Sequence, residues 1–424
     1  MRLKLFIIFS LMPILLFSQI NFNQYFKNGS LRFDFLLGGN SKNIVVYPEQ
    51  IKAEPYWGGS KVNLIDHLEY GSYRFRVIDI NSDSLIFSKG FCTLFQEWQT
   101  TVEAKIINRT YYQAAIFPFP KKTVRIEIDA RQWDGNFKNI YNTELDPQNY
   151  FINKETAFPF EVVKILDNGK PDKKVDIAIL AEGYTEYEMD KFIYDAERLT
   201  NSLFEVSPFK EEKNNFNVYA INTASLESGT DIPGEHIYIN TIFNTSFYTF
   251  DLDRYLTTSD MKTIYDAAST VPWDQIYILV NSNRYGGGGI YNLVSVCTSS
   301  HELSDEVFVH EFGHGFGGLG DEYYSSAVAY EDYYNLEVEP WEANLTTLVA
   351  FENKWSDLVS DSIPIPTPRK LKYGKEVGAF EGGGYMNKGI YSPMMDCRMK
   401  SNEANDFCKV CQNAIIEVIN YYKK

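Results

Sequence analysis

Residues 304–318 read Ser304-Asp305-Glu306-Val307-Phe308-Val309-His310-Glu311-Phe312-Gly313-His314-Gly315-Phe316-Gly317-Gly318. Ser304 has N-cap chemistry, and Asp305 and Glu306 fill a first turn, where negative charge is favoured. Gly317-Gly318 supplies a stop. The stretch therefore reads as a helix. Residues four apart on a helix share a face, so His310 and His314 can hold one metal ion between them. Glu311 lies about 100° round the same turn, within reach of a water at that ion. This H-E-x-x-H pattern points to zinc-assisted hydrolysis, with Glu311 as the general base.

A zinc ion that does chemistry takes three protein ligands and keeps one position open. After His314 the chain runs Gly315-Phe316-Gly317-Gly318-Leu319-Gly320-Asp321-Glu322-Tyr323. The glycines let it turn back beneath the metal. Asp321 is the first carboxylate after that turn and is the choice for third ligand. Glu322 is the runner-up, and Glu339 or Glu342 would serve only from another element.

Upstream of this helix the pattern is mixed α/β. Val175-Asp176-Ile177-Ala178-Ile179-Leu180 reads as a buried strand, and a helix is expected over Glu186 to Phe204. Phe216 to Ile221 and Ile276 to Val280 read as further strands. Strand and helix in turn argue for a sheet covered by helices. Before about residue 130 the pattern differs. Leu31 to Leu36, Tyr73 to Val77, Leu85 to Phe87 and Thr123 to Ile128 carry apolar residues at period 2, with turn residues between the runs. Such half-buried antiparallel strands suggest a β-sandwich. Asp134-Gly135, Asp146 to Asn149 and Asp167 to Pro171 are loop signals, which places a boundary near 150.

Met1 to Gln19, with Arg2 and Lys4 ahead of the apolar run Leu5 to Phe17, has the pattern of a secretory signal peptide. The organisation expected is a signal peptide over 1–19, an all-β sandwich over 20–150 and an α/β peptidase-type domain over 151–424. The mature chain is expected to be exported: periplasmic, cell-surface or secreted. No later stretch is apolar enough to insert in a membrane. The formal charge of −16 disfavours nucleic acid as a partner.

The stretch His310 to Tyr324, HEFGHGFGGLGDEYY, resembles the IgA-peptidase family of metallopeptidases. Asp176 to Tyr184 looks like that family's opening strand and turn. Tyr285-Gly286-Gly287-Gly288-Gly289-Ile290 looks like its glycine-rich segment. Tyr391 to Cys411, with Cys397-x-Met399 and Cys408-x-x-Cys411, looks like its C-terminal signature, and residues 20 to about 130 like the sandwich that precedes the peptidase domain in some members. The family is similar to the metzincins, whose longer motif places a third ligand where this chain has Gly320. Asp321 comes one residue later, so the third ligand is inferred here. The resemblance implies a zinc endopeptidase acting on protein or peptide, with Met399 as its Met-turn residue and Met394 and Met395 as rivals. Tyr323, Tyr324 and Tyr391 are candidates for transition-state support.

The glycine run 286–289 would let a backbone edge approach a bound peptide, or form a loop. His67, His236 and His301 lack ligand spacing and read as ordinary polar residues. In an oxidising compartment a disulfide within Cys397, Cys408 and Cys411 is the expectation, ahead of half a zinc knuckle. A second function of another class stays open: a surface or periplasmic protein that binds proteins or glycans through an inactive peptidase-like domain.

Overall fold

The computed structural model describes residues 20–156, 160–324 and 334–423. The expected signal segment, 1–19, lies outside the described residues. Among those described, no helix is long and apolar enough to cross a membrane.

The N-terminal part is built from two antiparallel sheets. Phe26–Gly39 lies between Ile44–Glu54 and Arg109–Pro120 in one. The other has the order Ser84–Phe91, Tyr73–Asp79, Val124–Arg131, Phe137–Leu145. Their inward residues, among them Phe33, Phe35, Phe75, Phe117 and Ile126, form one apolar core. This is the two-sheet packing that the period-2 runs imply. Phe137–Leu145, in a stretch read from sequence as loop, is a strand at the sheet's edge. Only Leu145 at its end is buried, so its side chains carry no apolar alternation to read.

The second part holds a six-stranded sheet in the order Gly287–Ile290, Val294–Thr298, Gln275–Val280, Val175–Glu182, Phe216–Ile221, Val162–Leu166. Its middle strands run parallel, and the outermost strand on each side is antiparallel to its neighbour. Val175–Glu182 is buried along its whole length, because helices or loops cover both faces. The helix expected over 186–204 is a short 3₁₀ turn, Glu186–Glu188, followed by an α-helix, Met189–Leu203. The motif helix spans Ser304–Gly315. Ser304 is its first residue and not its cap: the Ser304 hydroxyl accepts the His301 amide at 3.0 Å. Phe308 stacks on Tyr277 at 4.0 Å, and Phe312 meets Phe209 at 5.4 Å. These contacts fix the helix's roll, and with it where His310 and His314 point.

A buried charge group ties the two parts together. Arg32 bonds Glu54 at 2.8 Å within its own sheet, and Asp266 of the helix Met261–Ala268 at 2.7 Å. Lys52 meets the same Asp266 at 2.6 Å.

A second buried pair sits where two central strands begin. Asp274 Oδ2 accepts the Asp176 amide at 3.0 Å. Burial pushes the Asp274 carboxyl up to about 7, against the pull of Lys89. Burial and the Asp274 charge together push Asp176 up to about 8. Folded-state values above the unfolded ones mean that the folded chain keeps these protons longer. The stability they contribute is complete below about pH 4 and is lost as pH rises through about 7 to 8. Asp274→Asn keeps an acceptor for the Asp176 amide and removes one titration. The fall in melting temperature across that window is expected to flatten in this variant, as read by calorimetry, whereas an unchanged slope would refute the assignment.

Candidate metal centre and cleft

The motif helix brings His310 and His314 together on one face. His310 Nδ1 lies 2.9 Å from the Arg398 carbonyl oxygen, and His314 Nδ1 lies 2.6 Å from that of Leu319. A carbonyl only accepts, so each Nδ1 carries the proton and each Nε2 presents a lone pair. The two Nε2 atoms face each other at 3.1 Å. Asp321 Oδ1 lies 3.1 Å from one and 3.3 Å from the other. It is buried and has no hydrogen-bond partner among the described residues.

Three lone-pair donors at this spacing repel one another unless a cation sits between them. Ligands about 2.0–2.1 Å from a tetrahedral ion are about 3.3 Å apart, which the triangle matches. The electrostatics agree. Burial would lift the Asp321 carboxyl, but the two imidazoles hold it well below the usual carboxylate range. Burial lowers the His314 imidazole, and Asp321 overrides this to push it up to about 9. The pocket is thus one that favours positive charge, and its donor set fits a small divalent ion.

The turn that carries Asp321 is set by glycine. Gly318 has a φ of +61°, and its amide donates to the His314 carbonyl at 3.1 Å. Gly320 is clasped at both amide and carbonyl by the Asn344 side chain, each at 2.8 Å. Beyond it the two neighbouring carboxylates go to different partners, Asp321 to the imidazoles and Glu322 to Asn344 and Cys411. Asp321 faces the histidines, and Glu322 faces away from them. Glu339 accepts the amides of Thr347 and Ala350, and Glu342 accepts the Tyr334 hydroxyl; neither joins the triangle.

Glu311 lines the same cleft, beside the glycine strand Gly287–Ile290. Burial raises its carboxyl above the ordinary range, and His310 and His314 pull it back. The glycine run is neither a free loop nor an open edge along its whole length. Leu256 donates to the Gly287 carbonyl at 3.2 Å, and a Cβ on Gly289 would stand 2.3 Å from the Glu311 carbonyl oxygen. Glycine is needed because strand and helix touch.

Met399 lies under the helix, fully buried, where a Cβ on Gly313 would come 2.6 Å from its sulfur. Its carbonyl accepts the Glu322 amide at 2.8 Å. Met394 and Met395 are only partly buried.

Tyr323 lines the cleft beside Asp321, while Tyr324 is exposed. Tyr391 is on the hairpin Phe380–Gly383/Met386–Ser392, opposite Glu381, and is not among the residues that line the cleft. The Tyr385 phenol also reaches the triangle, where it donates to Asp321 Oδ2. Sequence reading missed it, although Gly382-Gly383-Gly384 just before it marked a tight turn. Its hairpin is fastened to the Asp321 segment by Gly384 N to Asp321 O at 2.7 Å and Tyr385 N to Tyr323 O at 3.0 Å.

The cleft has a volume of about 390 Å³ and opens onto both parts of the chain. Glu97 comes from the N-terminal part and accepts the Tyr255 hydroxyl at 2.6 Å. Arg254 and Trp341 also line it. The remaining histidines do not enter; His301, for example, accepts the Leu303 amide in a local turn. All five cysteines are free and buried. The disulfide expected within Cys397, Cys408 and Cys411 is not formed. Cys397 and Cys411 come within 3.8 Å, too far for a sulfur–sulfur bond.

No curated protein matches the chain. Family models do. That for IgA peptidase M64 matches residues 163–372 and 369–419, which include the motif helix, Asp321 and the three C-terminal cysteines. That for the peptidase M64 N-terminus matches residues 21–142, the paired antiparallel sheets. With both regions matched in order along one chain, the protein belongs to the IgA peptidase M64 family of peptidases.

Proposed function

We propose that the protein is an exported zinc-dependent endopeptidase, with Glu311 as general base and His310, His314 and Asp321 as metal ligands. The observation that carries this reading is the triangle of facing lone pairs at 3.1–3.3 Å, with a carboxylate beside it on the same helix. Two imidazoles and one carboxylate suit zinc and leave a fourth position toward the cleft. A zinc ion held there would supply Lewis-acid chemistry, polarising the scissile carbonyl and making a water more acidic. Glu311 takes the proton of the attacking water as the new carbon–oxygen bond forms. It then delivers that proton to the amide nitrogen as the carbon–nitrogen bond breaks. Arg398 and Leu319 hold the imidazoles in the tautomer that keeps Nε2 free. Export is supported by the pattern of Met1 to Gln19.

The test is digestion of a mixed peptide library, read by mass spectrometry. Cleavage is expected, abolished by chelator and restored by zinc. No cleavage by zinc-loaded protein would overturn the general peptidase reading and favour binding by an inactive domain.

Tyr385 gives a finer expectation. Its phenol supports Asp321 from behind, so Tyr385→Phe should weaken zinc binding by about 10–100-fold, as other supporting groups do. The kcat of the zinc-saturated variant should stay close to that of the parent. Chelator competition measures the first, and kinetics in excess zinc the second. A large loss of kcat at full occupancy would place Tyr385 on the substrate instead.

A further inference from the structure

Behind the histidine face lies a second group of potential ligands that the reaction does not use. Glu322, Cys397, Cys408 and Cys411 each offer one ligand atom, and the four atoms lie within 4.8 Å of one another. All are buried, with relative exposures of 0, 1, 5 and 0%. Cys397 and Cys411 sulfurs are 3.8 Å apart. Glu322 Oε1 is 3.8 Å from the sulfur of Cys408 and 3.1 Å from that of Cys411. A tetrahedral zinc ion with sulfur ligands at about 2.3 Å and oxygen at about 2.0 Å separates two sulfurs by about 3.8 Å and a sulfur from an oxygen by about 3.5 Å.

We propose that these four residues form a second, structural site for a soft divalent cation of the zinc class. Independent observations point the same way. Glu322 Oε2 is fully buried with no hydrogen-bond partner among the described residues, a costly state for a carboxylate without a cation. The Cys408 amide donates to the Cys397 sulfur at 3.1 Å, as amides do to metal-bound thiolates. Cys408 caps the helix Lys409–Tyr422 and Cys411 lies in its first turn, where the helix dipole favours thiolate. A disulfide would engage only two of the three sulfurs and leave the third and the carboxylate unmatched. Three thiolates and one carboxylate fill a tetrahedron, so the site has no open position and a structural role.

The site's position gives it a consequence. Glu322 follows Asp321 in the chain. Cys397 precedes Arg398, whose carbonyl holds the His310 ring, and Met399, which lies under the motif helix. An ion here fastens the Asp321 segment, the Met399 segment and the C-terminal helix to one point. The site itself does not depend on the catalytic reading; only this consequence rests on it.

The experiment counts metal in the purified full-length mature chain and in the double variant His310→Ala, His314→Ala. The parent is expected to carry one zinc ion more than the double variant, and the double variant should still hold one. Cobalt(II) loaded into the double variant should give the intense near-ultraviolet charge-transfer band of thiolate ligation, lost on adding Cys411→Ser. If that cysteine variant fails to fold, the band in the double variant decides alone. A double variant without metal, a cobalt spectrum without thiolate bands, or a mapped disulfide among the three cysteines would each overturn the proposal. Failure of the catalytic reading would look different: metal content equal in parent and double variant, with the thiolate band intact.

Discussion

Glu311→Gln is expected to lower kcat for peptide hydrolysis by about 10²–10⁴-fold, the usual range for a lost general base, while zinc content stays at the parent level. Glutamine keeps the length and shape of the side chain beside Gly287, where there is little room to spare. It cannot accept a proton from water, so the first proton transfer loses its acceptor and the amide nitrogen loses its donor. The proposed metal ligands are other atoms, His310 Nε2, His314 Nε2 and Asp321 Oδ1, and these stay in place. The substrate's contacts with the cleft are also unchanged, so KM should move far less than kcat. Burial already raises the Glu311 carboxyl, so a neutral isostere should not destabilise the fold. The measurement is kcat, KM and bound zinc on one preparation. Parent-level kcat in a zinc-loaded Glu311→Gln protein would remove Glu311 from the reaction. Loss of zinc together with activity would make it a ligand instead of a base.

The sequence made legible what is local. Tyr73 to Val77 and Thr123 to Ile128 alternate because one face of each strand is in the sandwich core, and both are strands. Apart from Asp176, Val175 to Leu180 is apolar without alternation because both its faces are buried. The histidine pair was legible because four residues is a helical repeat, and Asp321 because a glycine turn follows at once. Other elements had no such signal. Arg109–Pro120 contains Pro118 and Pro120, which argue against a strand, yet it pairs with Phe26–Gly39 along its length. Gly287–Ile290 has almost no side chains to show a period, and its glycines answer to a helix that lies further along the chain. Tyr385 meets Asp321 across 64 residues, and Glu97 meets Tyr255 across 158. Contacts of that reach are made by topology, which no local pattern encodes. The second cluster was missed for a related reason. Three cysteines near the C-terminus suggested a disulfide, and the fourth member, Glu322, is 75 or more residues away in the chain and beside a residue already given another role.

That neighbour sets the second large expected effect. Asp321→Ala should weaken zinc binding at the histidine pair by more than about 100-fold, beyond what loss of a supporting residue costs, and abolish hydrolysis at ordinary zinc concentration. The substitution removes the negative member of the triangle, leaving two neutral imidazoles 3.1 Å apart with nothing to complete the set. It also removes the Asp321 Oδ2 acceptor of the Tyr385 hydroxyl. Glu322→Gln is the contrasting variant. Glu322 was the rival for the third ligand, but its carboxylate lies against Cys411 and Asn344, away from the histidines. The histidine pair should therefore keep its ion when Glu322 is changed, because Asp321 Oδ1 still faces both Nε2 atoms. Chelator competition, with the histidine-bound ion followed separately from any thiolate-bound one, distinguishes the two variants. If Glu322→Gln emptied the histidine pair while Asp321→Ala kept its affinity, the ligand would be Glu322, and the segment that sends these neighbouring carboxylates to different partners would have to be turned over.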